Sequence, residues 1–253
     1  MTRKKITPSE ILSLHMPKFD AKKYKRAIKG AVNLFWDTRF SQNSGRKKAD
    51  QGNRSSVTGG KHLDGFVNLM VKVATDVGIP KECVFTKGNA LPGYFRPTKD
   101  WDLLIINKKK QLIAAIEFKS QVGSFGNNFN NRTEEVLGNA IDLWTAFREK
   151  GFPQTTPPWI GYLILVEKNA KSTNPVRLKE PHYKVRSEFV NTSYIDRYQL
   201  LCQKLMLEKH YSFASLLWSD SNKKFGDIDP ELSIDSFIES FSGFLIGKLK
   251  SFK

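Results

Sequence analysis

A chain of 253 residues with 40% hydrophobic side chains can bury a sizeable core, which excludes a disordered chain. Its 41 Lys and Arg against 25 Asp and Glu give a formal charge of +16, an excess that points to a polyanionic partner. The lysines are scattered rather than gathered on one amphipathic helix, which disfavours a membrane-surface protein, and no apolar run reaches the length of a membrane span. Cys83 and Cys202 are too few and too isolated for a disulfide framework or a zinc site, and the Lys-rich start lacks the apolar centre of a signal peptide. A reducing, cytoplasmic location is the expectation.

In chain order, Thr7-Pro8-Ser9-Glu10 carries the signals of a short capped helix that Pro17 interrupts. Asp20 caps a second helix, in which Tyr24, Ala27, Ile28, Ala31, Leu34 and Phe35 recur at helical spacing to about Phe40. Residues 41–60 are polar and rich in glycine, and read as a loop. It is a connector or a DNA-ordered arm, with Arg46, Lys47, Lys48 and Arg54 suited to phosphates or guanine edges. Its length favours the arm. A helix follows over Lys61–Val77, with Asp64 in its first turn, where an acid complements the helix dipole. Gly78-Ile79-Pro80 ends it, and Cys83–Thr86 is a strand.

Two apolar runs, Asp102–Ile106 and Leu112–Phe118, are separated by Asn107 and a lysine cluster and read as a hairpin of buried strands. Glu117 and Lys119 are two apart and share one face, while Phe118 points to the other. A turn centred on Lys109-Lys110 places Asp102 across from Glu117, bringing two carboxylates and an ammonium to one end of a sheet. An ionised Glu ending the run LIAAI needs a cation or donors in return for its lost hydration. Spacing alone allows a structural Glu-Lys pair as well as a catalytic one.

Beyond the hairpin, Ser120–Asn131 is rich in glycine and asparagine and reads as a loop, whose amides suit either adenine edges or tight turns. A DNA-facing loop is the expectation. A helix over Arg132–Lys150, a buried strand over Trp159–Val166, a basic loop over 167–192 with His182 at the surface, and a helix over Tyr194–Lys209 follow. The last helix starts near Pro230, and its broad apolar face suits a core helix or a dimer contact. No internal repeat or clear boundary divides the chain. The expectation is one domain over 1–253, with a helical, basic N-terminal region and loop (1–60), a core (61–167) and a C-terminal helical region (168–253).

The strings Leu91-Pro92-Gly93-Tyr94, Arg96-Pro97-Thr98-Lys99, Trp101-Asp102, Glu117-Phe118-Lys119-Ser120 and Gly126-Asn127-Asn128-Phe129-Asn130-Asn131-Arg132 together resemble the PD-(D/E)xK nucleases, and more narrowly the XhoI family of type II restriction endonucleases. Gly59-Gly60 and Asp64-Gly65-Phe66 add to the likeness, which is strongest over 59–167. Trp101 stands where the superfamily name has proline; the chemistry does not require proline there. The resemblance implies an α/β fold with a mixed sheet flanked by helices, acting on double-stranded DNA as a homodimer with Mg²⁺. Asp102 and Glu117 would hold the metal with the backbone carbonyl of Phe118, and Asp64 is a weaker candidate ligand. Lys119 would orient the attacking water or stabilise charge on phosphorus. Arg54, Arg96, Lys99, Asn127, Asn128, Asn130, Asn131 and Arg132 are the expected DNA contacts. The implied target is the palindrome CTCGAG, cut to leave a 5′ overhang with 5′-phosphate and 3′-hydroxyl ends, and a cognate methyltransferase is implied in the same cell. The residues leave two other readings open: a non-catalytic nucleic-acid-binding protein on the same fold, and a repair or junction nuclease without sequence preference.

Overall fold

The computed structural model describes residues 20–45, 61–154 and 156–253. Helices α1 (Lys25–Gly45) and α2 (Asp64–Asp76) come first, followed by the short strand β1 (Val84–Phe85). A small hairpin, β2 (Ala90–Pro92) with β3 (Thr98–Asp100), leads into a larger one, β4 (Leu103–Ile106) with β5 (Leu112–Gln121). Then come α3 (Phe125–Arg148), β6 (Trp159–Glu167), the single turn α4 (Ala170–Thr173), α5 (Tyr194–Leu207), β7 (Phe213–Ser219), β8 (Phe225–Asp227) and α6 (Ile234–Lys248).

Six strands make one mixed sheet in the order β1-β4-β5-β6-β7-β8. The central strands β5, β6 and β7 are parallel, joined by crossovers through α3 and α5, and the edge pairings are antiparallel. Parallel strands covered on both faces read as continuous apolar runs, and β6 (WIGYLILVE) is buried along all but its last residue. Ile116, Phe118, Leu163 and Leu165 face one core, built with α1, α2 and α6. Ala115, Tyr162, Ile164 and Leu216 face the other, built with α3 and α5. Glu117 shares the parity of Ala115, so period-two alternation sends it to the α3 side. Cys83 and Cys202 are free, buried thiols in opposite cores. Among the described residues no helix is long and apolar enough to cross a membrane.

Three sequence expectations are corrected. Ser120–Asn131 is not a loop: β5 runs to Gln121, and α3 starts at Phe125. Only three residues turn the chain, with Gly123 at φ 63° and Ser124 at φ 44°. Asparagine and glycine are poor helix formers, but Phe125 stacks on Tyr194 and Phe129 packs edge-on against Tyr198. Gly126 admits the Tyr194 hydroxyl, 2.8 Å from where a Cβ would stand. Residues 41–45, expected in a loop, continue α1, while the Thr7 helix and Arg46, Lys47, Lys48 and Arg54 lie outside the described residues. The C-terminal region, expected to be helical, also supplies β7 and β8 to the sheet. The final helix is a core helix: Ile234, Phe237, Ile238, Phe241 and Leu245 are buried.

Candidate active site

The larger hairpin sets the geometry. Its ladder pairs Leu103 with Ile116, the predicted register, although a bulge between Ile105 and Ile106 shifts the pairing next to the turn by one residue, and Asp102 follows as the next residue beside Glu117. The Asp102 N–H donates to the Ile116 carbonyl at 3.1 Å, and its Oδ2 accepts from the Phe118 N–H at 2.7 Å. Burial raises the Asp102 carboxyl to about 6, and the Glu117 charge adds to it, against the opposing pull of the Phe118 N–H, Lys119 and Lys99.

Glu117 is only 3% exposed, and both its oxygens are paired. Lys119 Nζ lies 2.7 Å from Oε1, the contact that i, i+2 spacing on one strand face allows. Lys99 Nζ lies 2.9 Å from Oε2 and sits over the Trp101 ring. A buried carboxylate is tolerated only with such compensation, so β3 supplies the second cation that Glu117 needs. Lys99, expected at the DNA, thus pairs with Glu117 in this cluster. Arg96 is engaged in the scaffold: its Nε meets Asp142 at 2.7 Å and its Nη2 donates to Asn139 at 2.8 Å. Asp142 also accepts from the N–H groups of Tyr94 and Phe95, and so holds the β2–β3 turn.

A cleft of ≈ 640 Å³ opens beside this cluster, lined among others by Asp64, Asp102, Phe118, Lys119, Asn128 and Arg132, with Glu117 and Lys99 behind its wall. Asp64 is exposed in the first turn of α2 and shares the cleft with Asp102. Asn128 and Arg132 are four apart on α3, so one helix face brings both to the cleft, where the positive end of a helix also favours anions. Asn127, Asn130 and Asn131 are exposed on the first two turns of α3 and do not line the cleft.

Three further residues belong to this region. Arg39 lines the cleft from α1. His62, buried beside it, shares a 3.0 Å hydrogen bond with Ser120 Oγ. Burial, reinforced by the charges of Arg39 and Arg132, lowers His62 to about 4, so it is neutral at pH 7. Glu135 on α3 binds Arg132 at 2.6 Å and lies 4.0 Å from Lys119. Neither His62 nor Glu135 stands out in the sequence, because each joins the site only through the packing of its helix.

The oxygen donors of Asp102, Glu117 and the Phe118 carbonyl suit a hard divalent cation, which binds through one or two carboxylates and keeps several waters. Among the described residues no larger cluster of His, Cys, Asp or Glu is arranged for a metal.

The restriction endonuclease XhoI family matches residues 42–228. The chain is 51% identical over 177 residues to the type II restriction enzyme BstVI of Geobacillus stearothermophilus, covering 68% of this chain and 79% of the relative. It is 45% identical over 194 residues to the type II restriction enzyme XhoI of Xanthomonas vasicola (75% and 78%), and 46% identical over 169 residues to AbrI of Azospirillum brasilense (64% and 74%). No solved structure matches. A family match across most of the chain, joined to a carboxylate–lysine cluster beside a basic cleft, leads to one conclusion: the chain belongs to the XhoI family of type II restriction endonucleases.

Proposed function

We propose that this restriction endonuclease hydrolyses double-stranded DNA with Mg²⁺ at the carboxylate pair Asp102 and Glu117, with Lys119 as the catalytic cation. The observation that carries this reading is Glu117 in contact with Lys119 at 2.7 Å, one hairpin strand away from the half-buried Asp102. When bound, Mg²⁺ supplies Lewis-acid activation of the scissile phosphate and of the attacking water. Asp102, charged above about pH 6, and Glu117 would hold the cation together with the Phe118 carbonyl. Lys119 projects into the cleft, where it orients the water and stabilises charge building on phosphorus. Asn128 and Arg132 hold the DNA from the start of α3, and Asn127, Asn130 and Asn131 extend that surface. Asp64, which lines the same cleft, would be a further candidate ligand.

The target proposed from the family resemblance is CTCGAG, cut to a 5′ overhang with 5′-phosphate and 3′-hydroxyl ends. A palindrome read on both strands calls for a twofold-symmetric homodimer. A cell carrying this activity needs a methyltransferase that protects the same sequence, and cytoplasmic location follows from the DNA it must meet.

The test compares wild type with Glu117→Gln and Lys119→Ala. Both variants are expected to lose cutting by about a hundredfold or more, as removal of groups that stabilise a transition state does. Both should keep duplex binding, because phosphate and base contacts come mostly from α3. Normal cutting by either variant removes the assignment.

A further inference from the structure

Five side chains form a line of alternating charge from α3 into the catalytic cluster: Arg132, Glu135, Lys119, Glu117 and Lys99. Their successive contacts are 2.6, 4.0, 2.7 and 2.9 Å. The middle of the line is divided. A single oxygen, Glu135 Oε2, serves Arg132 at 2.6 Å and Lys119 only at 4.0 Å, while Lys119 sits 2.7 Å from Glu117. Glu135 therefore lies between two cations and favours the one outside the cluster.

Two other observations bear on that choice. Arg132 lines the cleft, yet its buried Nε has no hydrogen-bond partner, so the guanidinium fork is only partly used. A buried donor left unpaired is costly, and an anion entering the cleft would relieve it. Glu117, for its part, is 3% exposed with each oxygen paired to an ammonium group, so a divalent cation at Oε1 would have to stand beside the Lys119 charge.

We propose that Glu135 is a positioning residue for Lys119, and that a DNA phosphate or base edge taken up by Arg132 transfers Glu135 from Arg132 to Lys119. The transfer draws the Lys119 ammonium off Glu117 Oε1 and uncovers that oxygen for the divalent cation. DNA and metal then bind cooperatively, each favouring the arrangement the other needs. The inference rests on the reading of Asp102, Glu117 and Lys119 as a metal-dependent site.

The test uses the full chain and Mn²⁺ as probe, with free Mn²⁺ followed by electron paramagnetic resonance. Affinity is measured without DNA and with a short duplex containing the mapped cleavage sequence, blocked at the scissile bond. Wild type is expected to bind Mn²⁺ about tenfold more tightly when the duplex is present, within the usual range of coupling between two sites. In Glu135→Gln that gain should shrink to about twofold or less while duplex affinity holds, and kcat on the unblocked duplex should fall about tenfold with KM nearly unchanged. Glu135 is 46% exposed, so the variant should fold, and an overlaid melting curve checks it. Glu135→Gln with wild-type kcat and the full gain overturns the inference while leaving the metal-dependent site standing. A wild type that neither cuts nor binds Mn²⁺ overturns that reading and the inference with it.

Discussion

Asp102 is a half-buried acid and Asp142 a buried one, and their surroundings drive them in opposite directions. Burial and the Glu117 charge raise Asp102 to about 6, above its ordinary 3.8. Its charge therefore destabilises the fold at pH 7, and the penalty disappears as pH falls through 6 towards 4. Asp102→Asn, which keeps an acceptor for the Phe118 N–H, should stabilise the metal-free protein by about 1–3 kcal/mol at pH 8 and by almost nothing at pH 4. Urea titrations at the two pH values check this. An unchanged or lower stability at pH 8 would show that the cluster stores no such strain. For Asp142, burial also pushes upward, but the N–H groups of Phe95 and Tyr94 and the Arg96 guanidinium outweigh it and hold the carboxyl below its usual range. Its contribution is present above pH 4 and lost as pH falls. Asp142→Ala, which leaves those donors unpaired, should cost about 2–4 kcal/mol at pH 7, read as a lower denaturation midpoint.

At the scale of elements, the sheet carries the site and α3 carries its approach. Strand β6 lies against β5 through pairs such as Ile116 with Gly161 and Glu117 with Tyr162. A Cβ on Gly161 would strike the Trp159 ring and stand 2.8 Å from Phe237, so this glycine is what lets α6 close on the sheet. Gly161→Ala should overpack that contact and cost about 1–3 kcal/mol by urea denaturation, with little change in kcat. A neutral result would mean that α6 shifts freely. The hairpin and the pairing of Leu103 with Ile116 were legible in the sequence from the apolar runs, the lysine turn and the period of two, whereas the bulge between Ile105 and Ile106 was not. The start of α3 was not, since Asn127 through Asn131 have weak helix propensity and owe their helix to Phe125 and Phe129 packing on α5. Strand β7 was hidden too: FASLLWS is a short apolar run without a period, close behind a helix. Lys99 and Glu135 reach Glu117 and Lys119 from 18 and 16 residues away in the chain, a placement that no local pattern reports.

For the whole molecule, the charge of +16 and the basic cleft lined by Asp102 and Asp64 suit one task, holding a polyanion above acids that would otherwise repel it. Duplex affinity should fall steeply between low and moderate salt, as counterions are released from neutralised phosphates, and a flat log–log slope would assign the excess charge elsewhere. Family membership identifies a restriction endonuclease, and the central claim is that its cluster cuts DNA at one sequence with a divalent metal. Digestion of a plasmid of known sequence, with Mg²⁺ and then with EDTA, tests this most directly. The account predicts discrete fragments whose ends all map to a single palindrome in Mg²⁺, and intact plasmid in EDTA. A smear, or cutting that persists in EDTA, would contradict it.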